Sequence, residues 1–271
     1  MVYGYVDVDR GRIYQETDGK GDHITMLHAG FLDRRMWDEQ FMLLKQRYQV
    51  TRYDQRGYGK SSVPEGKFSS ANDLKSLLDS LGVKKTILMG VSNGGRICID
   101  FALKFPDYVV AMILSDTGVT GYTTFNQEED RLWDFLFDFE EEQREHVKKG
   151  ELKEAVLMDI DLWVPALSGK EREKVMDIAL ENKQHLLYDF SSLEMDNEMN
   201  SFEHLGEIKV PTLVIVGEED LDGAIAESRR IQERIPGSEL VVIEGGDHIP
   251  SLSRPEKFNS ILEKFLSKLK K

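Results

Sequence analysis

The sequence has one cysteine, Cys98, among 271 residues. A single cysteine cannot form a disulfide within the chain, so disulfide-stabilised secreted folds are excluded. Long apolar runs are also missing: the longest one, from Val109 to Leu114, is far shorter than the ~18 residues of a membrane-spanning helix. The first residues, MVYGYVDVDRG, have neither the basic start nor the apolar stretch of a signal peptide. We therefore expect a cytoplasmic globular protein.

Positive charges are fewer than negative ones. Lys and Arg together number 35, whereas Asp and Glu number 49, which gives a formal net charge of −14. A surface this acidic repels phosphate backbones and anionic lipid headgroups. We therefore expect neither nucleic acid nor a membrane surface as a partner.

Short apolar segments rich in β-branched residues recur along the chain and end in glycine or turn residues, as buried strands do. They are His23–His28, Tyr48–Tyr53, Thr86–Met89, Val109–Ser115, Thr212–Val216 and Leu240–Ile243. Helical patterns separate most of them, which is typical of a mostly parallel sheet covered by helices on both faces. At the start, Tyr3–Asp9 and Arg12–Thr17 alternate instead and predict an antiparallel hairpin. The predicted fold class is therefore α/β, with a mostly parallel eight-stranded sheet.

Strand signals are absent between about residues 118 and 208, where apolar stripes of helical period replace them. We interpret this block as a helical cap, or lid, inserted into a core formed by residues 1–117 and 209–271. Ligand pockets favour such interfaces. Six residues are predicted to line a substrate pocket there: Phe31 of the core and Trp133, Phe137, Met158, Trp163 and Met195 of the cap.

The segment Gly90-Val91-Ser92-Asn93-Gly94 matches the pattern Gly-x-Ser-x-Gly. In this pattern, called the nucleophile elbow, a serine sits on a sharp turn between a strand and a helix. The pattern alone is weak, because roughly 0.1 matches are expected by chance at this composition. Its position strengthens it, since the strand Thr86–Met89 precedes it and Arg96–Lys104 is helical in pattern. A helix amino terminus also favours a developing anion. Ser92 is therefore the predicted nucleophile.

A serine hydroxyl needs a base that removes its proton. Among the six histidines, His248 follows the last predicted strand, at the sheet edge that presents Ser92, so we expect it to be the base. The base needs a carboxylate that orients its ring, and Asp220, at the end of the preceding strand, is predicted to supply it. Three carboxylates are rivals for that role: Glu219, Asp222 and Asp116.

The oxyanion formed in acyl transfer needs backbone N–H donors. Asn93, the residue after the serine, is expected to supply one. The second is expected in the loop after the strand that ends at His28, where Gly30 is our choice and Phe31 the alternative. His28 itself is interpreted as a structural loop residue.

Together these motifs resemble the α/β-hydrolase superfamily, specifically its esterase, lactonase and peroxidase-like members. The resemblance covers nearly the whole chain and includes the elbow at Ser92 and the strand-end acid Asp220. It also rests on three further segments: His28-Ala29-Gly30 with Trp37 downstream, the run YDQRGYGKS from Tyr53 to Ser61, and Gly246-Asp247-His248. The chain departs from the family's pattern at Ala29, where the family has glycine, and at Asn93, where it often has methionine or glutamine.

The resemblance implies the α/β-hydrolase fold, with a structural turn near the site at Asp54, Arg56 and Gly57. With the residues above, it predicts a serine hydrolase that cleaves small carboxylic esters or lactones through an acyl-enzyme. No metal or organic cofactor is expected, because the chain lacks zinc-ligand spacing and a phosphate-binding glycine loop. An iminopeptidase, a C–C bond hydrolase and a small-molecule receptor with little turnover are alternatives. A monomer and a homodimer are both compatible with the sequence.

Overall fold

A computed structural model describes residues 1–269, without the side chains of Glu128, Leu132 and Asn197. The strands, named β1 to β8 in chain order, are Val2–Val8, Gly11–Gly19, His23–Leu27, Gln49–Tyr53, Thr86–Val91, Val109–Ser115, Thr212–Gly217 and Glu239–Ile243. The helices, named α1 to α11, are Asp38–Leu44, Ser70–Ser80, Asn93–Lys104, Gln127–Lys148, Leu152–Trp163, Gly169–Glu181, Gln184–Leu187, Ser201–His204, Asp222–Arg234, Pro250–Ser253 and Pro255–Lys268. Short 3-10 helices lie at Arg34–Trp37, Pro106–Tyr108, Ser191–Leu193, Met195–Glu198 and Leu205–Glu207.

The eight strands form one sheet in the order β1-β2-β4-β3-β5-β6-β7-β8. β2 pairs antiparallel with both β1 and β4, and every later pair of neighbours is parallel. The two residues Asp9 and Arg10 connect β1 to β2, where Val8 pairs with Gly11. The mostly parallel eight-stranded sheet and the leading hairpin confirm the predicted fold class.

Both faces of the sheet are covered by helices. Side chains alternate between the two faces along each central strand. One face, which includes Met89 and Ile113, packs against α1 and α11, and the other, which includes Leu88 and Met112, packs against α2, α3 and α9. Burial on both faces explains why these strands are apolar throughout.

The chain between β6 and β7, residues 116–211, is called the insertion below. It contributes α4 to α8 and, within the described residues, no strand of the sheet. Val156 and Ile160 of α5 are buried in the same apolar cluster as Trp37, and Phe202 and Leu205 are buried in the cluster that contains α3. The insertion is thus packed onto the core by apolar contacts. Its division into a separate cap at residues 118–208 stays a prediction.

The longest helix, α4, spans 22 residues and carries acidic and basic side chains between its aromatic residues. Its length would suffice to span a bilayer, but its many charged side chains are incompatible with the apolar interior. Across residues 1–269, no helix combines the length and the apolar character needed to cross a membrane.

Candidate active site

Ser92 lies at the junction of β5 and α3, between Val91 and Asn93. Its backbone has φ 54° and ψ −121°, a positive-φ conformation that residues other than glycine adopt only under strain. Helix α3 begins at Asn93 rather than at the predicted Arg96, because the N–H groups of Gly95 and Arg96 already donate to the Ser92 carbonyl. The serine therefore sits directly at the amino terminus of the helix.

The glycines beside Ser92 are required by close backbone contacts. A Cβ on Gly90 would lie 2.4 Å from the carbonyl group of Gly94, and a Cβ on Gly94 would lie 2.4 Å from the carbonyl oxygen of Leu27 in β3. A larger residue at either position would displace the backbone. The two glycines thus allow the turn to lie against the neighbouring strand, with Ser92 at the carboxyl edge of the sheet.

His248 and Asp220 follow neighbouring strands and meet at the same edge. The Nδ1 atom of His248 lies 2.8 Å from Oδ2 of Asp220, and both side chains are buried. A neutral imidazole that donates from Nδ1 to this carboxylate has Nε2 available to accept a proton. Glu219 and Asp222, two of the rival carboxylates, are exposed. The structure therefore pairs the predicted base with the predicted acid.

The third rival, Asp116, is buried beside this pair. One side-chain oxygen or nitrogen from each of Asp116, Asp220 and His248 lies within 4.8 Å of the other two. The Asp116 carboxyl accepts hydrogen bonds from the Gly217 N–H and the Ser115 hydroxyl, both at 2.7 Å. Burial, and then the negative charge of Asp220, raise the pKa of Asp116 well above its ordinary value. Asp116 thus tends to keep its proton.

Ser92 and His248 open onto one cavity of about 890 Å³. Its floor is the carboxyl edge of the sheet, and its roof is formed by α4, α5, α7 and the residues that follow α7. The aromatic residues that the sequence predicts to bind substrate all line it: Phe31, Trp133, Phe137 and Trp163. The two predicted methionines, Met158 and Met195, are not among the residues that line it. The Ser92 hydroxyl makes no hydrogen bond to the described residues. Such contacts often tighten only when substrate is bound.

The two candidate oxyanion donors lie beside each other. A Cβ on Gly30 would lie 3.8 Å from Cβ of Asn93, and Asn93 is the first residue of α3, whose N–H has no acceptor within the helix. The Asn93 side chain donates to Oε1 of Gln55 at 2.9 Å, and Gln55 in turn donates to the His28 carbonyl oxygen at 2.6 Å. One glutamine therefore ties the elbow to the loop that carries Gly30.

His28 holds that loop from inside the core. Its side chain is fully buried, Nδ1 lies 2.8 Å from the Ala29 carbonyl oxygen, and Nε2 lies 2.9 Å from the Gln55 backbone N–H. A neutral ring satisfies both contacts by donating from Nδ1 and accepting at Nε2. Burial lowers the pKa of His28, which favours this neutral form. The contacts agree with its interpretation as a structural residue.

The turn after β4 packs against the insertion. Asp54 is buried, and Arg56 donates two hydrogen bonds, at 2.8 and 2.7 Å, to the Asp73 carboxylate. Gly57 has φ 89°, and a Cβ there would lie 2.5 Å from the ring of Phe190 in the insertion. Glycine is therefore required at this point both by the backbone conformation and by the ring that packs on it.

The roof contributes two side-chain contacts that the sequence analysis missed. The Trp163 ring lies 4.5 Å, centroid to centroid, from the His248 ring, and the two ring planes are tilted by 45°. His185 faces two acceptors, since its Nδ1 lies 2.9 Å from the Asn182 carbonyl oxygen and its Nε2 lies 3.1 Å from Oδ2 of Asp159. These contacts depend on how the insertion packs, for which the sequence has no local signal.

Gln55 and Tyr58 were also missed as site residues. Both belong to the motif between Tyr53 and Ser61, of which only Asp54, Arg56 and Gly57 were assigned a role. The available signal was their position, since Gln55 lies between Asp54 and Arg56 and Tyr58 directly follows Gly57.

The parallel sheet, the strained elbow at its carboxyl edge and the buried histidine–aspartate pair agree with one fold family. The chain belongs to the α/β hydrolase fold family, whose model matches residues 22–255. A 2-hydroxy-6-oxononadienedioate/2-hydroxy-6-oxononatrienedioate hydrolase of Klebsiella pneumoniae is 28% identical over 282 residues, which cover 97% of this chain and 95% of that protein. The 3-oxoadipate enol-lactonase 2 of Acinetobacter baylyi is 26% identical over 253 residues, covering 91% and 90%. The structure of an esterase from Thermogutta terrifontis matches with a TM-score of 0.81 and 24% identity over 99% of both chains.

Proposed function

We propose that the protein is a serine hydrolase of the carboxylesterase type, which cleaves small carboxylic esters or lactones through an acyl-enzyme. The observation that carries the proposal is that strained Ser92 and Asp220-bound His248 open onto one cavity. The relative named as an enol-lactonase adds support for an ester-type bond. A small, ester-like substrate and a cytoplasmic location are part of the proposal.

In the proposed mechanism, Ser92 Oγ attacks the carbonyl carbon of the substrate while Nε2 of His248 takes the hydroxyl proton. The carbonyl electron pair moves onto the oxygen, which the N–H groups of Asn93 and Gly30 stabilise. His248 then donates its proton to the leaving alcohol, and the acyl-enzyme forms. Water, deprotonated by His248, then bonds to the acyl carbon, the bond from that carbon to Ser92 Oγ breaks, and His248 returns the proton to Oγ as the acid leaves. Asp220 orients and stabilises the imidazole throughout. No metal or organic cofactor takes part.

The insertion acts in this proposal as a cap, residues 118–208, that shields the reaction from water. Trp133, Phe137 and Trp163 would contact the apolar part of the substrate from above, and Phe31 would do so from the floor. Phe31 is also the alternative second oxyanion donor, because it follows Gly30 in the same cavity-lining loop.

The proposal is tested by Ser92→Ala with p-nitrophenyl butyrate as the probe substrate. We expect many turnovers by the wild-type protein and a loss of at least about 10⁴-fold in kcat in the variant, because its nucleophile is gone. The control is Ser80→Ala, which changes an exposed serine at the end of α2 and keeps full activity. Full activity in Ser92→Ala would refute the mechanism. If the wild-type protein releases one equivalent of p-nitrophenol and then stops, the result would favour a receptor instead.

A further inference from the structure

Tyr58 lies beside the candidate oxyanion donors. A Cβ built on Gly30 would lie 4.0 Å from the Tyr58 hydroxyl and 3.8 Å from Cβ of Asn93. Tyr58, Gly30 and Ser92 all line the same cavity. The space next to the Gly30 backbone is therefore bounded by a phenol hydroxyl as well as by the elbow.

The Tyr58 ring is held in place before any substrate binds. It packs edge-on against His28, with 5.1 Å between the ring centroids, and edge-on against Phe190 at 6.3 Å. It also stacks on His185 at 6.3 Å, and its backbone N–H donates to the Gln55 carbonyl oxygen at 3.0 Å. A hydroxyl on a ring fixed on three sides needs little reorganisation to meet a ligand atom.

The hydroxyl of Tyr58 has no hydrogen-bond partner among the residues that the structure describes. Other tyrosines in the chain differ, because the hydroxyls of Tyr108 and Tyr122 donate to Asp79 and Glu129. Burial raises the pKa of Tyr58 above its ordinary value, so the hydroxyl keeps its proton and can donate it in a hydrogen bond. An ordered donor without a partner, in a cavity beside a nucleophile, is suited to a substrate oxygen.

We propose that Tyr58 is a third catalytic donor to the oxyanion, alongside the N–H groups of Gly30 and Asn93; this rests on the proposed function. When Ser92 Oγ bonds to the carbonyl carbon, the π electron pair moves onto the carbonyl oxygen and the serine proton passes to His248. Tyr58 keeps its own proton throughout and shares it with the oxygen in a hydrogen bond. Because negative charge grows on that oxygen, the bond is stronger in the transition state than in the bound ester.

The test is Tyr58→Phe, which removes only the hydroxyl and keeps the ring. With p-nitrophenyl butyrate we expect kcat to fall about 10- to 100-fold, with KM unchanged within about twofold. Tyr108→Phe, which removes a hydroxyl that lies beyond the carboxyl end of α3 and outside the cavity lining, keeps wild-type kcat. A trifluoromethyl ketone, which forms an oxyanion adduct with the serine, should bind Tyr58→Phe more weakly by the same factor. In a Ser92→Ala background, Tyr58→Phe should not change the affinity for the intact ester.

An unchanged kcat in Tyr58→Phe would overturn the proposal. So would an increase in KM alone, or weaker binding of the intact ester in the Ser92→Ala background, because either result would make Tyr58 a ground-state binding group. Failure of the proposed function gives a different result: the wild-type protein shows no turnover, or Ser92→Ala stays active. In that case the catalytic role of Tyr58 falls with it.

Discussion

The floor and the roof of the cavity are built differently. At the floor, His248 bonds Asp220 at 2.8 Å and Asn93 bonds Gln55 at 2.9 Å. At the roof, the α4 residues Trp133 and Phe137 are 47% and 61% exposed, and the charged residues of that helix pair along its own length. The groups that we propose to perform the chemistry are thus held by hydrogen bonds before substrate arrives, whereas the α4 residues that would contact the rest of the substrate are largely exposed.

This difference separates two kinds of expected effect. Substitutions in the floor should lower kcat, because they disturb groups that act in the transition state. Substitutions on α4 should change KM and substrate preference, because they remove contacts made equally in the ground state. The following predictions are ordered from the largest expected effect to the smallest.

The two buried carboxyls beside His248 should differ sharply in their importance. We expect Asp220→Asn to lower kcat about 10⁴-fold, because an amide no longer holds the imidazole in the required tautomer. Asp116→Asn is the matched control and should lower kcat at most about tenfold, since Asp116 tends to keep its proton and the Nδ1 atom of the ring pairs with Asp220. Steady-state kinetics with p-nitrophenyl butyrate measures both. A larger loss in Asp116→Asn would assign the acid to Asp116.

Glu227 joins the core to the start of the insertion and should make stability depend on pH. It lies in α9, accepts a hydrogen bond from the Val119 N–H at 2.7 Å where the chain enters the insertion, and burial raises its pKa to about 7. Between pH 4.5, its ordinary pKa, and pH 7, the unfolded chain loses this proton while the folded protein keeps it. The free energy of unfolding therefore falls as the pH rises through this window, by about 3 kcal/mol in total.

Glu227→Gln removes this dependence, because the amide cannot ionise and can still accept the Val119 N–H. Relative to wild type, the variant should gain about 3 kcal/mol in unfolding free energy between pH 4.5 and pH 8. Urea denaturation at these two pH values measures the difference. If the variant and the wild-type protein differ in unfolding free energy by the same amount at both pH values, Glu227 does not titrate in this window.

Gln55→Met removes the contacts that tie Asn93 to the His28 loop while it keeps the volume of the side chain. We expect kcat to fall about tenfold and the free energy of unfolding to fall by about 1–3 kcal/mol, because buried polar partners lose their hydrogen bonds. Enzyme kinetics and urea denaturation measure the two effects. A loss of stability with unchanged kcat would show that the hydrogen bonds of the Gln55 side chain do not position the oxyanion donors.

Trp133→Ala should have the smallest effect of the series. Because the side chain is 47% exposed, the free energy of unfolding should change by less than about 0.5 kcal/mol. KM for p-nitrophenyl octanoate should rise several-fold, while KM for the acetate stays the same. Phe135→Ala is the matched control, since Phe135 lies on the same helix with the same exposure and does not line the cavity. Equal changes of KM in the two variants would show that the cavity-facing side of α4 does not bind the substrate.

The same contrast explains how much was predictable from the sequence. The elbow, the strand ends and the hairpin are local patterns, so the sheet and the positions of Ser92, Asp220 and His248 along its edge follow from short segments. The contact of Trp163 with His248 and that of Phe190 with Gly57 join residues more than 80 positions apart. Such contacts depend on how amphipathic helices pack, which no short segment specifies.

The most direct test of the account is covalent labelling by a fluorophosphonate, with the modified residue mapped by mass spectrometry. Such a reagent reacts readily only with a serine whose hydroxyl is activated by a base. The account predicts one adduct, on Ser92, which disappears in His248→Ala and persists in His204→Ala, a change of an exposed histidine. An adduct on any other residue, or a folded wild-type protein that is not labelled at Ser92, would contradict it.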